Sequence, residues 1–268
     1  MFDIKDKILL ITGAAVGIGA SIVRIFLEEN IKHVTILDID DKYGSAIEKE
    51  LNTKYGSNRV KFIKCDVTQE QELLDAFSAV QNEQGYIDIV INNAGTANDK
   101  AFAKTIDLNV TALFRSSLHA WELMRKDKSG RGGTIINVAS IAGIGQYPVM
   151  PVYSSTKAAV VKFSTALGDE YHYSATAVRV LTVCFGVTDT PLVNGKIPSF
   201  NPDIEDEIAT LIRSFKWQSA DEAARGVSEL YKVGSSGSVW IVTSGKPAVD
   251  VTEKYIQTTK VFDDIIID

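Results

Sequence analysis

The sequence alternates short apolar segments with longer amphipathic ones, and this alternation restricts the fold more than any other feature. Runs rich in Val, Ile and Leu occupy residues 8–11, 34–37, 60–64, 87–91, 134–138, 178–184 and 239–242. Apolar residues recur at helical spacing in the segments 18–29, 42–51, 70–81, 103–124, 152–170, 205–213 and 220–230. This alternation predicts repeated βα units. We expect an α/β fold: a doubly wound parallel sheet of about seven strands with helices on both faces.

No linker, internal repeat or low-complexity tract interrupts the alternation, so we expect one domain over residues 1–268. Hydrophobic residues make up 45% of the chain and charged residues 23%, which is enough apolar material for a full core. The rhythm loosens after the sixth predicted strand, where prolines and glycines accumulate. Residues 186–217 are therefore the expected substrate loop, and no role is assigned to the tail at 250–268.

Charge and cysteine usage exclude several classes of protein. The net charge is −6 with no basic block, so nucleic acid is not an expected partner. Cys65 and Cys184 form neither a disulfide framework nor a metal motif, and His33, His119 and His172 share no ligand spacing, so no metal is expected. The first residues carry acids before any apolar run, and no segment reads as a membrane span. We expect a cytoplasmic protein.

Residues 12–19 read TGAAVGIG and join the first predicted strand to the first predicted helix. Gly13, Gly17 and Gly19 would let the backbone turn tightly and approach a pyrophosphate at the helix N-terminus, as in the Rossmann type of this fold. An ordinary βα turn that needs positive φ would also explain these glycines. The loop is thus a candidate phosphate site that needs support from elsewhere in the sequence.

Asp38 supplies that support at the end of the second predicted strand. It lies 19 residues after Gly19, close to the spacing of about 20 expected for an acid that binds the adenosine ribose hydroxyls. A strand-end turn acid is the alternative. Asp38 would repel the 2′-phosphate of NADP, and neither Ala14 nor Ala15 offers a compensating cation. The pattern favours NAD as the cofactor.

Polar residues end the next three strands as well. Asp66 follows the third strand, the sequence NNAG at residues 92–95 follows the fourth, and Ser140 ends the fifth. Turn residues of these types terminate strands routinely. In an open parallel sheet, however, all these strand ends meet at the edge where ligands bind. We expect them to line one crevice.

Tyr153 is the only one of nine tyrosines that is followed by a lysine at the fourth position, Lys157. On a helix these positions share a face, so the ammonium would stand beside the phenol. A nearby cation stabilises tyrosinate, whose unperturbed pKa is about 10, and we expect the Tyr153 pKa to fall. Packing of the ring on the lysine stem is the alternative. Ser140, on the same crevice edge, could hold a substrate oxygen against the phenol.

These motifs, in this order, resemble those of the short-chain dehydrogenases/reductases: TGAAVGIG, NNAG, Asn109, Ser140 and YSSTK over residues 12–157. The chain is most similar to the insect-type alcohol dehydrogenases and the related prostaglandin-dehydrogenase-like branch. The resemblance implies that Ser140, Tyr153 and Lys157 are catalytic and that Asn109 holds a water in the proton relay. It also implies that NAD is bound by Gly13, Gly17, Ile18, Gly19, Asp38, Asp66, Val67, Asn93, Ala94, Gly95, Tyr153, Lys157, Val187 and Thr188.

The expected function is NAD-dependent interconversion of an apolar, secondary alcohol and its ketone or aldehyde, with Tyr153 as general base. A non-catalytic dinucleotide-binding sensor or storage protein on the same fold is the alternative. The resemblance also implies a homodimer or homotetramer. Two departures concern the substrate: the family's Pro-Gly after the sixth strand is Phe185-Gly186, and Met150 replaces a glutamine usual in the prostaglandin branch.

The residues expected around the substrate are apolar, which predicts an apolar alcohol rather than a hydroxy acid. They are Ile141, Ile144, Val149, Met150, Val152, Val187, Leu192, Ile197 and Phe200. Lys196 is the nearest cation in these loops, and we interpret it as a solvated residue of the loop.

Overall fold

The computed structural model describes residues 1–261, and the remaining part of the tail at 262–268 lies outside the described residues. Eight strands form one sheet in the order β3-β2-β1-β4-β5-β6-β7-β8. The strands are β1 Ile8–Thr12, β2 His33–Asp38, β3 Val60–Lys64, β4 Ile89–Asn92, β5 Gly133–Ser140, β6 Val178–Phe185, β7 Val239–Val242 and β8 Val249–Asp250. The first seven are parallel, and β8 pairs antiparallel with β7. The predicted doubly wound α/β fold is confirmed, with one more short strand than expected.

Within residues 1–261, ten α-helices connect and flank the strands. They are α1 Gly17–Glu28, α2 Asp41–Tyr55, α3 Glu70–Gln84, α4 Phe102–Ile106, α5 Leu113–Met124, α6 Pro151–Leu167, α7 Glu170–Thr176, α8 Glu205–Ser214, α9 Ala220–Val233 and α10 Thr252–Lys260. Helix α10 was not predicted, and two predicted helices are each divided in the structure. The segment predicted as one helix at 103–124 is divided by a π-helical segment, Asp107–Ala112, and the one predicted at 152–170 ends at Leu167 before α7 begins.

The strands are apolar on both faces because helices cover both sides of the sheet. In β1, Leu9 and Ile11 belong to one buried cluster and Ile8 and Leu10 to another. The first cluster includes residues of α1, α2 and α9, and the second includes residues of α3 and α5. This two-sided burial explains why uninterrupted apolar runs predicted the strand positions well.

The parallel register brings the carboxyl ends of the strands to one edge of the sheet. Thr12 lies beside Asn92, and Ser140 lies beside Phe185. The loops that leave these ends therefore surround a shared crevice, as expected for this topology. Over residues 1–261, no helix has both the length and the apolar character needed to cross a membrane.

Candidate active site

The turn between β1 and α1 is packed so closely that two of its residues must be glycine. Gly13 has a φ of +65°, and a Cβ there would lie 2.6 Å from the Cα of Ala94. A Cβ on Gly19 would lie 2.5 Å from the carbonyl oxygen of Gly13. The Thr12 hydroxyl accepts hydrogen bonds of 3.1 Å from the N–H groups of Asn93 and Ala94. The glycine turn and the NNAG segment are thus one tightly joined unit.

Free backbone N–H groups in this turn and a carboxylate beside it suit an anionic ligand that also carries a diol. Helix α1 begins at Gly17, and its N-cap Val16 provides no side-chain hydrogen bond, so first-turn N–H groups face the groove without a capping side chain. Beside them, the Asp38 carboxylate accepts 3.0 Å hydrogen bonds from the N–H groups of Ala15 and Asp40. Backbone donors thus fix this carboxylate at the end of β2.

A long groove follows this edge of the sheet and contains nine of the fourteen residues predicted to bind the cofactor, while Tyr153, Lys157, Val187 and Thr188 line an adjoining pocket. Those lining the groove are Gly13, Gly17, Ile18, Asp38, Asp66, Val67, Asn93, Ala94 and Gly95. Gly19 does not line the groove, because it lies beneath the turn, against the carbonyl oxygen of Gly13. Lys104 of α4 is the one Lys or Arg that lines the groove within residues 1–261, and the sequence reasoning did not identify it.

Ser140, Tyr153 and Lys157 come together at one end of this groove. Ser140 ends β5, and its Oγ accepts a 3.1 Å hydrogen bond from the N–H of Ala142. Tyr153 lies in the first turn of α6, and the Nζ of Lys157, one turn further, is 5.9 Å from the centre of the tyrosine ring. Lys157 is buried and donates a 2.9 Å hydrogen bond to the carbonyl of Val138. The predicted face-sharing of the two side chains is confirmed.

The expected lowering of the Tyr153 pKa by Lys157 is wrong for this structure. Burial raises the Tyr153 pKa above its ordinary value, and the hydrogen bond with the Ser140 hydroxyl lowers it only in part. Burial also lowers the pKa of the Lys157 ammonium to about 8. The ammonium points to the Val138 carbonyl rather than to the phenol, which explains why it contributes little to the stabilisation of tyrosinate.

Asn109 lies fully buried in the π-helical segment next to this cluster. Its Oδ1 accepts a 2.9 Å hydrogen bond from the N–H of Thr96, and its Nδ2 donates to the carbonyl of Thr96 at 2.8 Å and to Thr156 Oγ1 at 3.1 Å. π-Helical turns occur often at functional sites. The side chain thus ties the loop after NNAG to α6, in addition to the relay role that the family resemblance implies.

A second, apolar pocket opens next to Ser140 and Tyr153. Five of the nine predicted lining residues are in its wall: Ile141, Met150, Val187, Leu192 and Ile197. Ile144, Val149, Val152 and Phe200 do not line it. Ile144 and Phe200 are 37% and 56% exposed, because their loop positions turn them to solvent. Lys196 is also outside this wall, and its exposed side chain forms an ion pair with Glu205.

Aromatic side chains from two loops complete the pocket, and no local sequence pattern predicted them. Tyr147 and Phe215 both line it, with ring centres 5.9 Å apart. Val187 and Thr188 follow β6 into the same wall, where Thr188 Oγ1 accepts a 3.0 Å hydrogen bond from Gln218 Nε2. Within residues 1–261, no three His, Cys, Asp or Glu side chains are grouped as a metal site would require.

Comparison with known proteins agrees with this arrangement. The sequence model of a family described as "short chain dehydrogenase" matches residues 7–199. Alcohol dehydrogenase 1 of Ceratitis capitata is 31% identical over 254 residues, which cover 92% of this chain and 97% of that protein. The 15-hydroxyprostaglandin dehydrogenase [NAD(+)] of Mus musculus is 27% identical over 248 residues, which cover 91% of this chain and 92% of the mouse protein.

A crystal structure of a short-chain type dehydrogenase/reductase from Mycobacterium marinum superimposes with a TM-score of 0.77 at 25% identity. The alignment covers 91% of this chain and 96% of that one. The likeness thus extends over most of the fold.

Proposed function

Because this chain belongs to the short chain dehydrogenase family and is an oxidoreductase of that family, we propose that it interconverts an apolar secondary alcohol and its ketone with NAD as cofactor. The observation that carries the proposal is the position of Ser140, Tyr153 and Lys157. They lie where an apolar pocket meets a groove lined by a glycine turn and a strand-end carboxylate.

Each residue of the cluster has a defined task in this proposal. The Ser140 hydroxyl holds the substrate oxygen, and Tyr153 takes the hydroxyl proton as general base. Lys157 supplies a donor toward the cofactor ribose. NAD, when bound, accepts the hydride and adds a positive charge that favours tyrosinate. That charge would offset the raised Tyr153 pKa of the protein without cofactor.

The residues of the groove fit a nicotinamide dinucleotide better than its 2′-phosphorylated form. First-turn N–H groups of α1 would hold the pyrophosphate, and Asp38 would accept hydrogen bonds from the adenosine ribose hydroxyls. The mouse relative carries NAD(+) in its name, which supports the same assignment. Within residues 1–261, Lys104 is the one Lys or Arg that lines the groove, and it lies on α4 rather than in the turn beside Asp38.

The pocket wall supports an uncharged, apolar substrate. Apart from Lys157 it contains no Lys, Arg, Asp or Glu among the described residues, so a carboxylate head would lack a partner other than the catalytic lysine. Buried apolar area contributes about 25 cal/mol per Å², so affinity should grow with alkyl size until the pocket is full. Two further parts of the proposal are a cytoplasmic location, predicted from the sequence, and assembly as a homodimer or homotetramer, implied by the family resemblance.

The test is a panel of alcohols followed by NAD reduction at 340 nm. Straight-chain, branched and cyclic secondary alcohols are compared with hydroxy acids of equal carbon count. We expect turnover of the alcohols, with kcat/KM rising with chain length and then levelling. Tyr153→Phe should abolish turnover and leave NAD affinity nearly unchanged, since only the proton acceptor is removed. Tight NAD binding with no turnover would favour the non-catalytic alternative, and a preference for hydroxy acids would refute the apolar pocket.

A further inference from the structure

Asp99, in the loop between β4 and α4, is a buried carboxylate whose contacts are unusual. It is 3% exposed, and it takes part in no ion pair recorded within residues 1–261. Its Oδ2 accepts a 2.9 Å hydrogen bond from the N–H of Val152, and its Oδ1 accepts one of 2.9 Å from the N–H of Tyr153. These are backbone groups of the first turn of α6.

This contact replaces the usual local cap of the helix. The first N–H groups of a helix lack intrahelical partners, and a Ser, Thr, Asp or Asn just before the helix normally satisfies one of them. The N-cap residue of α6 is Met150, which provides no side-chain hydrogen bond. Asp99, 53 and 54 residues away in sequence from its two partners, supplies both acceptors. The negative charge also lies at the positive end of the helix dipole.

The backbone of the same residue holds the substrate loop. The N–H of Asp99 donates a 3.0 Å hydrogen bond to the carbonyl of Pro198. Two positions earlier, Ala97 is buried in one cluster with Met150 and Ile197. The segment 97–99 thus contacts both the start of α6 and the loop that forms the pocket wall. Asp99 itself lines neither the groove nor the pocket.

We propose that Asp99 is a positioning residue for Tyr153: its carboxylate fixes the first turn of α6, while its backbone holds the substrate loop at the same point. The proposal rests on the proposed role of Tyr153 as base. The backbone bond to Pro198 does not depend on the side chain, so a substitution at position 99 separates placement of the base from placement of the loop.

The experiment compares Asp99→Ala and the nearly isosteric Asp99→Asn with a matched control, Asp169→Ala. Asp169 caps α7 through a 2.9 Å bond from the N–H of Tyr171 and lines neither groove nor pocket. We expect kcat of Asp99→Ala to fall about 10- to 100-fold, since small displacements of a reacting group have effects of that size, with NAD affinity and substrate KM within about threefold. Asp99→Asn should lie between, because its amide oxygen still accepts one bond. Asp169→Ala should keep kcat.

Backbone amide exchange gives a readout that does not depend on turnover. Asp99→Ala should speed exchange at residues 152–155, and Asp169→Ala should not. Equal kcat in Asp99→Ala and the wild type, or an equal loss in both Ala variants, would overturn the proposal. If the wild type oxidises no alcohol, the proposed function fails. The exchange data then decide separately whether Asp99 orders the first turn of α6. Unchanged exchange in Asp99→Ala and Asp99→Asn would refute that ordering role.

Discussion

Lys157 is a buried ammonium with no carboxylate partner among the recorded ion pairs of residues 1–261, which makes it costly to the fold. Burial lowers its pKa to about 8, whereas the lysine of an unfolded chain titrates near 10.4. Below pH 8 both states hold the proton, and the folded state carries the full desolvation cost. Between pH 8 and about 10.4 the unfolded state binds more protons, so this group's contribution to stability rises with pH.

Lys157→Met is therefore expected to raise the free energy of unfolding at pH 7, by about 1 kcal/mol or more, since one pKa unit corresponds to about 1.4 kcal/mol. The gain should shrink as the pH rises from 8 toward 10. Urea unfolding at several pH values measures it. Lys162→Met, an exposed position on the same helix, is the control and should show no pH-dependent difference. A variant that is less stable than the wild type at pH 7 would contradict this reasoning.

At the scale of elements, residues 186–204 of the expected substrate loop are held against α8, which follows them, by apolar packing more than by charge. Ile208 of α8 is 1% exposed and belongs to the same buried cluster as Ile197 of the loop. The ion pair between Lys196 and Glu205 joins the same two elements, but the lysine side chain is 73% exposed and only that of Glu205, at 11%, is largely covered. Pairs whose cation is solvated contribute about 0–1 kcal/mol, whereas deleting a buried Ile side chain costs about 2–5 kcal/mol.

We expect Ile208→Ala to loosen the loop and Lys196→Ala to leave it nearly unchanged. The first variant should lower kcat/KM for the best alcohol of the panel about tenfold, because the pocket wall is no longer held in place. It should also speed protease cleavage within residues 190–204. Lys196→Ala should change kcat/KM and the rate of protease cleavage by less than about twofold. A larger effect from Lys196→Ala would mean that charge, rather than packing, orders the loop.

The elements predicted best from sequence are those whose positions accept few types of residue. Strands buried on both faces must be apolar throughout, and the glycine turn leaves no room for a Cβ at Gly13 or Gly19. The π-helical segment at Asp107–Ala112 was predicted as ordinary helix, since its apolar spacing does not differ from that of its neighbours. Helix α10 was missed because its residues 252–260 are mostly polar and lack a clear apolar stripe.

The site residues show the same difference: some could be predicted from local sequence, and others could not. Asp38, Ser140 and the Tyr153–Lys157 pair could be located because each has a fixed place relative to a strand end or a helix turn. The contacts of Asp99 with α6 could not, because a cap supplied from a distant loop leaves no local signal. Tyr147 and Phe215 come from separate loops. Their contact therefore depends on the folded structure and leaves no local pattern in the sequence.

At the scale of the whole molecule, the groove proposed to bind the cofactor links the ends of β1, β2, β3 and β4. A dinucleotide bound there should therefore stabilise the entire fold. A ligand that binds only the folded state at 100 times its dissociation constant adds about 2.7 kcal/mol to the free energy of unfolding. For a chain of this length, about 2–4 °C of Tm corresponds to each kcal/mol. We therefore expect NAD to raise Tm by about 5–10 °C at such a concentration.

NADP at the same concentration should raise Tm much less, because its 2′-phosphate would meet the Asp38 carboxylate. Asp38→Ala should reduce the shift with NAD and increase the shift with NADP, since it removes both the ribose acceptor and the repulsion. Asp41→Ala is the matched control: this neighbouring acid does not line the groove, and its variant should keep the wild-type order. Calorimetric scans of the three proteins with each dinucleotide measure these shifts. Equal shifts with both dinucleotides in the wild type would contradict the preference for NAD and the role of Asp38 in it.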